Sequence, residues 1–258
     1  MILAIDIGNT NIALGGFSKN ELSFVARIST DVSKTSDEYA SVLLSTLALY
    51  KTPPEAIKGA IISSVVPALN RVVSEAVRFI CGITPLVVGP GVKSGINLHC
   101  DNPSSVGSDL VCACVAARYV YGCPALIIDM GTATKISVID KNGAFIGVSI
   151  IPGVIMGLRA LSEGTAQLPQ VSLEVPKSVI GKNTADCMRS GIIYGNASLL
   201  DGMIERFNEE MGEVLPIFAT GGLATTVVKH CKHNITVDEN LVLKGLNIIY
   251  NKNNKTIC

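Results

Sequence analysis

The stretch MILAIDIGNTNIALGGFSKNELSFVARI, residues 1–28, returns in the same plan as ALIIDMGTATKISVIDKNGAFIGVSI, residues 125–150. Each copy opens with an apolar run ending in Ile-Asp-x-Gly, at Asp6 and Gly8 and again at Asp129 and Gly131. A turn of small polar residues follows, then a second strand. Turn chemistry recurs at Ser18-Lys19-Asn20 and at Lys141-Asn142-Gly143, before a third strand. Apolar runs punctuated in this way predict a β-meander. Asp129 follows Asp6 by nearly half the chain, so the repeat predicts a duplicated domain.

Outward from each copy the pattern changes period. Residues 36–49 and 68–80 carry apolar side chains at three-to-four spacing, which predicts helices. Residues 60–66 between them read as a buried strand. Residues 107–121 read as a helix with Asp109 near its start. In the second half, 157–162 and 185–211 read as helices, and 215–220 as a strand ending in Gly221-Gly222. The result is an α/β chain of two similar domains, 1–118 and 119–258, packed around a cleft. The Asn-Lys-Asn-Asn-Lys run at residues 251–255 reads as a frayed end.

Composition narrows the class. Hydrophobic residues make up 48% and charged residues 16% of the 258, enough for a large core and too apolar for disorder. Lys+Arg and Asp+Glu balance at 21 each, with no basic block, which argues against a nucleic-acid partner. The longest apolar run, 110–128, is broken by Arg118 and by Gly122-Cys123-Pro124. It reads as helix, turn and strand, since a membrane span needs ~20 apolar residues. Residues 1–5 are apolar but Asp6 follows at once, which reads as a strand and not a signal segment. The eight cysteines include no C-x-x-C pair and are expected to be free thiols in a reducing cytoplasm. His230, Cys231 and His233 read as a loop rather than a zinc site.

The two Asp-x-Gly loops carry the chemistry. Glycine lets main-chain N–H groups approach an oxyanion closely. Asn9, Thr10, Thr132 and Thr134 add neutral donors, and Asp6 and Asp129 can hold cations that neutralise phosphate charge. Gly221 and Gly222 leave room for a flat base or ribose. Asp109 has a plain role available, helix-end stabilisation of ~0.3–1 kcal/mol. It is also placed to accept a hydroxyl proton while a phosphoryl group leaves a nucleotide. That transfer depends mostly on positioning and charge neutralisation, so a weak base suffices.

Taken together, several segments resemble the type III pantothenate kinases. They are Asp6-Ile7-Gly8-Asn9-Thr10-Asn11, Ser63-Ser64-Val65-Val66-Pro67, Asn102-Pro103 leading to Gly107-Ser108-Asp109, and Asp129-Met130-Gly131-Thr132-Ala133-Thr134. Pro152-Gly153, Thr165-Ala166-Gln167-Leu168-Pro169 and Gly181-Lys182-Asn183-Thr184 extend the likeness. The resemblance implies two ribonuclease-H-like domains, the duplicated actin-like ATPase fold of the sugar kinases and chaperones. It implies a homodimer that uses ATP, Mg²⁺ and a monovalent cation, K⁺ or NH₄⁺, to phosphorylate pantothenate. Residue by residue it implies Asp6, Gly8, Asn9 and Thr10 at the phosphates, with Gly131 and Thr132 completing the nucleotide loop. Asp109 would be the general base, Asp129 a ligand near the monovalent cation, with Asp6 on the metal side of the phosphates. Gly107, Cys100, Leu110 and Thr184 would line the acceptor site, Thr184 from across the dimer.

Four positions depart from the family pattern. Leu110 stands where the family has Arg, Cys100 where it tends to have Tyr, and Lys135 and Ser137 where it has Thr and Asp. An Arg suits a carboxylate substrate. Its loss leaves two alternatives open, namely drift with compensation elsewhere, or an acceptor alcohol other than pantothenate. A non-catalytic nucleotide-binding homologue is a further alternative, and retention of Asp6, Asp109 and Asp129 argues against it. Lys135 either supplies a fixed ammonium in place of the monovalent cation or points to an exposed face.

Overall fold

Both copies of the quoted pattern fold as three-stranded meanders in the computed structural model, which describes residues 1–254. The first consists of β1 (Ile2–Ile7), β2 (Asn11–Ser18) and β3 (Glu21–Ser29). The β2–β3 hairpin turns on Lys19 and Asn20, both at positive φ, 50° and 70°, as a tight primed turn demands. Helix α1 (Ser36–Leu49) opens with a reciprocal cap: Glu38 N–H donates to Thr35 Oγ1 and Thr35 N–H donates to Glu38 Oε2. Such a cap contributes about 1 kcal/mol. The chain then returns through β4 (Gly59–Ser64), α2 (Pro67–Cys81) and β5 (Leu86–Val87).

The first sheet has the order β3-β2-β1-β4-β5, with β4 parallel to β1 and β5 parallel to β4. Its central strands are buried on both faces and therefore read as continuous apolar runs. One face sends Leu3, Ile5, Ile7 and Ile62 into a core with Tyr39, Leu43, Leu69 and Val73 of α1 and α2. The other face is covered by α3 (Ser108–Ala116) and α7 (Leu241–Asn253). A π-helical turn, Ala117–Tyr121, follows α3.

The second sheet repeats the permutation as β10-β9-β6-β7-β8. Its strands are β6 (Ala125–Met130), β7 (Ala133–Ile139), β8 (Phe145–Pro152), β9 (Ile217–Thr220) and β10 (Thr236–Val237). Helices α4 (Val154–Glu163), α5 (Thr184–Met211) and α6 (Ala224–Val227) belong to the same unit. Leu126, Ile128, Met130, Ile136 and Val138 pack there against Leu158, Met188, Ile192 and Leu200.

The compact units are Met1–Tyr121 together with α7, and Gly122–Glu239. This differs from the linear division at residue 118. Leu241, Leu243, Leu246 and Ile249 are buried, and Gly245 sits so close to α3 that a Cβ there would lie 1.9 Å from the Cys112 carbonyl oxygen. The last helix thus completes the first unit. Asn251 to Asn253, read as a frayed end, continue α7; Lys255 lies outside the described residues. Among the described residues, no helix is long and apolar enough to cross a membrane.

Candidate active site

In the first unit, Asp6 is the penultimate residue of β1. The sheet register puts Ser63 of β4 on one side of it and Ala13 of β2 on the other. The loop after β1 is closed by Gly8 N–H donating to Asn11 O at 3.0 Å. Thr30, just beyond β3, braces the loop twice. Its Oγ1 donates to Gly8 O at 2.6 Å, and its N–H donates to Thr10 O at 3.0 Å. Asn9 and Thr10 are exposed on this fixed turn. The loop therefore presents N–H and hydroxyl donors beside a carboxylate, an arrangement suited to phosphate oxygens.

The start of α3 is tied to the end of β4 by Ser108. Ser64 N–H donates to Ser108 Oγ at 2.9 Å, and Ser108 Oγ donates to Ser64 O at 3.1 Å. Because that uses the single Ser108 proton, Ser63 Oγ is the donor in the 2.9 Å contact between the two hydroxyls. Asp109 follows directly and is buried; its Oδ1 accepts from Leu110 N–H at 2.8 Å. Gly107 leaves this carboxylate its room, since a Cβ there would lie 2.6 Å from that same Oδ1 and the side chain would have to shift. The Cys112 thiol is pushed well above its usual range, first by complete burial, then by the negative charges of Asp6 and Asp109. Ser63 pairs with Asp6 in the sheet and its hydroxyl meets that of Ser108, the residue before Asp109, which brings Asp6, Asp109 and Ser63 into one cluster.

Leu110 is 6% exposed and its side chain offers no polar atom. Cys100 is partly buried in the irregular segment before α3.

In the second unit, Asp129 holds the place in β6 that Asp6 holds in β1. Thr220 of β9 flanks it on one side, matching Ser63, and Lys135 of β7 on the other, where the first unit has Ala13. Lys135 Nζ lies 3.0 Å from Asp129 Oδ2, with the two side chains 17% and 15% exposed. The loop is closed by Gly131 N–H donating to Ala133 O at 3.2 Å. Gly153 backs onto it: a Cβ there would meet Thr132 O at 2.2 Å. Gly221 has φ 95°, and a Cβ would lie 2.5 Å from Met130 O, so only glycine fits. Around Gly222 a Cβ would meet none of the described residues within 4 Å, which leaves open space against the backbone.

Thr134 corrects the reading of it as a loop donor. It is 1% exposed on the core side of β7, opposite Met130, and its Oγ1 has no hydrogen-bond partner among the described residues. Thr184 is the exposed first residue of α5, after the Asn183 cap. His230 meets the Tyr194 ring edge-on at 5.1 Å, and His233 Nε2 lies 3.8 Å from Glu205 Oε1. The described residues contain no group of three or more metal-ligating side chains.

The sequence-expected residues thus fall into two sets. Asp6, Gly8, Asn9, Thr10, Cys100, Gly107, Asp109 and Leu110 belong to the first unit; Asp129, Gly131, Thr132, Thr184, Gly221 and Gly222 belong to the second. Sequence reasoning missed the working parts of Thr30, Ser63, Ser108 and Thr220. Ser63 and Thr220 share a signal, a hydroxyl at the end of the strand parallel to each Asp-bearing strand.

Known proteins resemble this chain in sequence and in fold. The family model for type III pantothenate kinase matches residues 2–206. A type III pantothenate kinase from Moorella thermoacetica is 41% identical over 253 residues, covering 98% of this chain and all of that one. Another, from Exiguobacterium sp., is 41% identical over 255 residues, covering 99% and 100%. Among solved structures, the Acidaminococcus fermentans (R)-2-hydroxyglutaryl-CoA dehydratase component A superposes with a TM-score of 0.56 at 14% identity, covering 95% of this chain and 94% of that one. The inorganic polyphosphate/ATP-glucomannokinase of Arthrobacter sp. strain KM gives 0.53 at 16%, covering 97% and 98%. These two speak for the shared fold, the duplicated actin-like ATPase architecture. With a family model matched over most of its length and two relatives at 41% identity end to end, this chain belongs to the type III pantothenate kinase family.

Proposed function

We propose that the chain transfers the γ-phosphoryl group of ATP to the primary hydroxyl of pantothenate, the first step toward coenzyme A. As a kinase of this family it uses ATP and a divalent metal. The observation that carries the reading is the cluster of Asp6 and Asp109 around the Ser63–Ser108 link at the ends of β1, β4 and α3.

Each residue has a task that follows from its position. The Gly8–Thr10 turn, braced by Thr30, binds phosphate oxygens through its N–H groups and the Asn9 and Thr10 side chains. Gly131 and Thr132 form the matching turn of the second unit, and Gly221 with Gly222 leaves the backbone open for a flat group. Asp6 is the carboxylate that fits a divalent ion, which when bound supplies charge neutralisation on the phosphates. Asp109 takes the hydroxyl proton as the oxygen–phosphorus bond forms and the bond to ADP breaks. The Leu110 N–H holds its carboxylate in one orientation, which favours a positioned proton transfer. Gly107, Cys100 and Leu110 border the acceptor. Because Leu110 is apolar, recognition of the pantothenate carboxylate falls to other groups.

The enzyme acts as a cytoplasmic homodimer in this reading. Ile155 and Met156 of α4 are exposed, as are Val179 and Ile180 shortly before Thr184. They offer apolar surface for a second copy and support the reading of Thr184 as a residue at the shared boundary. The monovalent cation fits less well: Asp129, the carboxylate expected beside it, already faces an ammonium at 3.0 Å.

Release of ADP with pantothenate as acceptor tests the reading. Turnover that disappears in Asp109→Asn supports it. Turnover only with another alcohol would keep the phosphoryl chemistry and reassign the substrate.

A further inference from the structure

The geometry points to Lys135 as a built-in replacement for the monovalent cation, so that this kinase works without K⁺ or NH₄⁺. The inference rests on the kinase reading and concerns the charge beside Asp129. Asp129 and Lys135 are direct partners in the β6–β7 register, on the face of the sheet opposite the core residues Ile128 and Ile136. Their charged atoms are 3.0 Å apart and both side chains are largely buried. The duplicated sheet provides an internal comparison. Asp6 has the equivalent position, a hydroxyl-bearing neighbour on the parallel strand like Asp129, and Ala13 where Asp129 has Lys135. The ammonium is thus a local addition to one copy of a shared plan.

The charge balance follows. A carboxylate at the end of β6 without a cation would repel the phosphates that the adjacent Gly131–Thr132 turn is suited to bind. A diffusible K⁺ or NH₄⁺ solves this by binding; a lysine solves it covalently, with the same single charge and with up to three N–H donors. Two cations at one carboxylate would repel each other in a site of low dielectric, so the lysine excludes the ion it replaces. Lys135 is on this account a positioning residue for the loop and a fixed counter-charge for Asp129.

The test is turnover of pantothenate by the full chain, dialysed free of K⁺ and NH₄⁺, at a constant ionic strength of about 0.1 M held with choline, potassium or ammonium chloride. ADP is measured directly by chromatography, because coupling enzymes have cation requirements of their own. Wild-type turnover is expected to change less than about twofold among the three salts, whereas Lys135→Ala is expected to fall about tenfold or more in choline and to regain most of that loss in potassium or ammonium chloride. Thermal melting supplies a second readout: K⁺ is expected to raise the midpoint of Lys135→Ala relative to choline and to leave the wild type unmoved. A saturable, about tenfold or larger, K⁺ activation of the wild type would overturn the inference, even if the variant fails to fold. So would a variant whose loss no cation restores. Absence of turnover in every salt would instead sink the kinase reading, and the melting comparison would still decide the question of the cation.

Discussion

Ser108 Oγ and Ser63 Oγ meet at 2.9 Å, joining the first residue of α3 to the end of β4. This contact decides where Asp109 stands relative to Asp6, since Ser63 pairs with Asp6 in the sheet. Replacing Ser108 by Ala removes an acceptor from Ser64 N–H and from Ser63 Oγ at once. A stability loss of about 1–3 kcal/mol is expected from the stranded partners. Turnover is expected to drop about tenfold with KM for ATP little changed, because the base shifts while the phosphate turn stays. Urea unfolding and steady-state kinetics read the two effects. An unchanged kcat would mean that Ser108 serves the fold alone.

Asp109→Asn keeps the shape of the side chain and the acceptor oxygen for Leu110 N–H. It removes the proton acceptor. Turnover is expected to fall by about 10² or more while ATP affinity by calorimetry stays within about twofold. Retained turnover would take the base role away from Asp109.

The neighbouring glycines Gly221 and Gly222 are expected to behave differently. Ala at 221 must hold φ near 95° and bring a Cβ to 2.5 Å from Met130 O. A destabilisation of roughly 2 kcal/mol or more is expected, from strain and the close contact. Ala at 222 meets none of the described residues within 4 Å and is expected to leave the melting midpoint unchanged while weakening nucleotide binding. Equal melting midpoints for the two variants would show that the turn after β9 is not built as described.

The cysteines separate by environment. Burial, followed by the charges of Asp6 and Asp109, keeps Cys112 protonated, so native protein at pH 8 is expected to resist alkylation there while exposed Cys123 reacts. Cys231 is raised from 9.0 to about 11, mainly by burial and then by Asp201. A thiol whose folded value lies above its unfolded value stabilises the fold fully below 9.0, and that contribution is lost as pH rises toward about 11. Replacing Cys231 by Ala is expected to flatten the fall in melting midpoint over that interval. An unchanged slope would count against this account.

The meanders and most helices were legible because their signals are local. Apolar runs and turn residues predict the meanders, three-to-four spacing predicts helices at 36–49 and 185–211, and the structure has α1 at Ser36–Leu49 and α5 at Thr184–Met211. Helix α7 was not legible. Gly245 interrupts its pattern, and the reason for that glycine is the carbonyl of Cys112, which stands far away in the chain.

The sequence by itself determined the two-copy plan, the Asp-x-Gly loops and the position of Asp109 at a helix start. It also determined, through these motifs, the family. Only the tertiary structure decided what Lys135 does. Overlaying the two copies on their aspartates aligns Lys135 with Ile12, a core residue 1% exposed. The turn after β6 is one residue shorter than the turn after β1, so the strand register pairs Asp129 with Lys135 and Asp6 with Ala13. Because side chains alternate along a strand, that single residue moves the lysine from the core face of the overlay to the carboxylate's face. The deciding quantity is a pairing register, fixed by the packing of a whole sheet face.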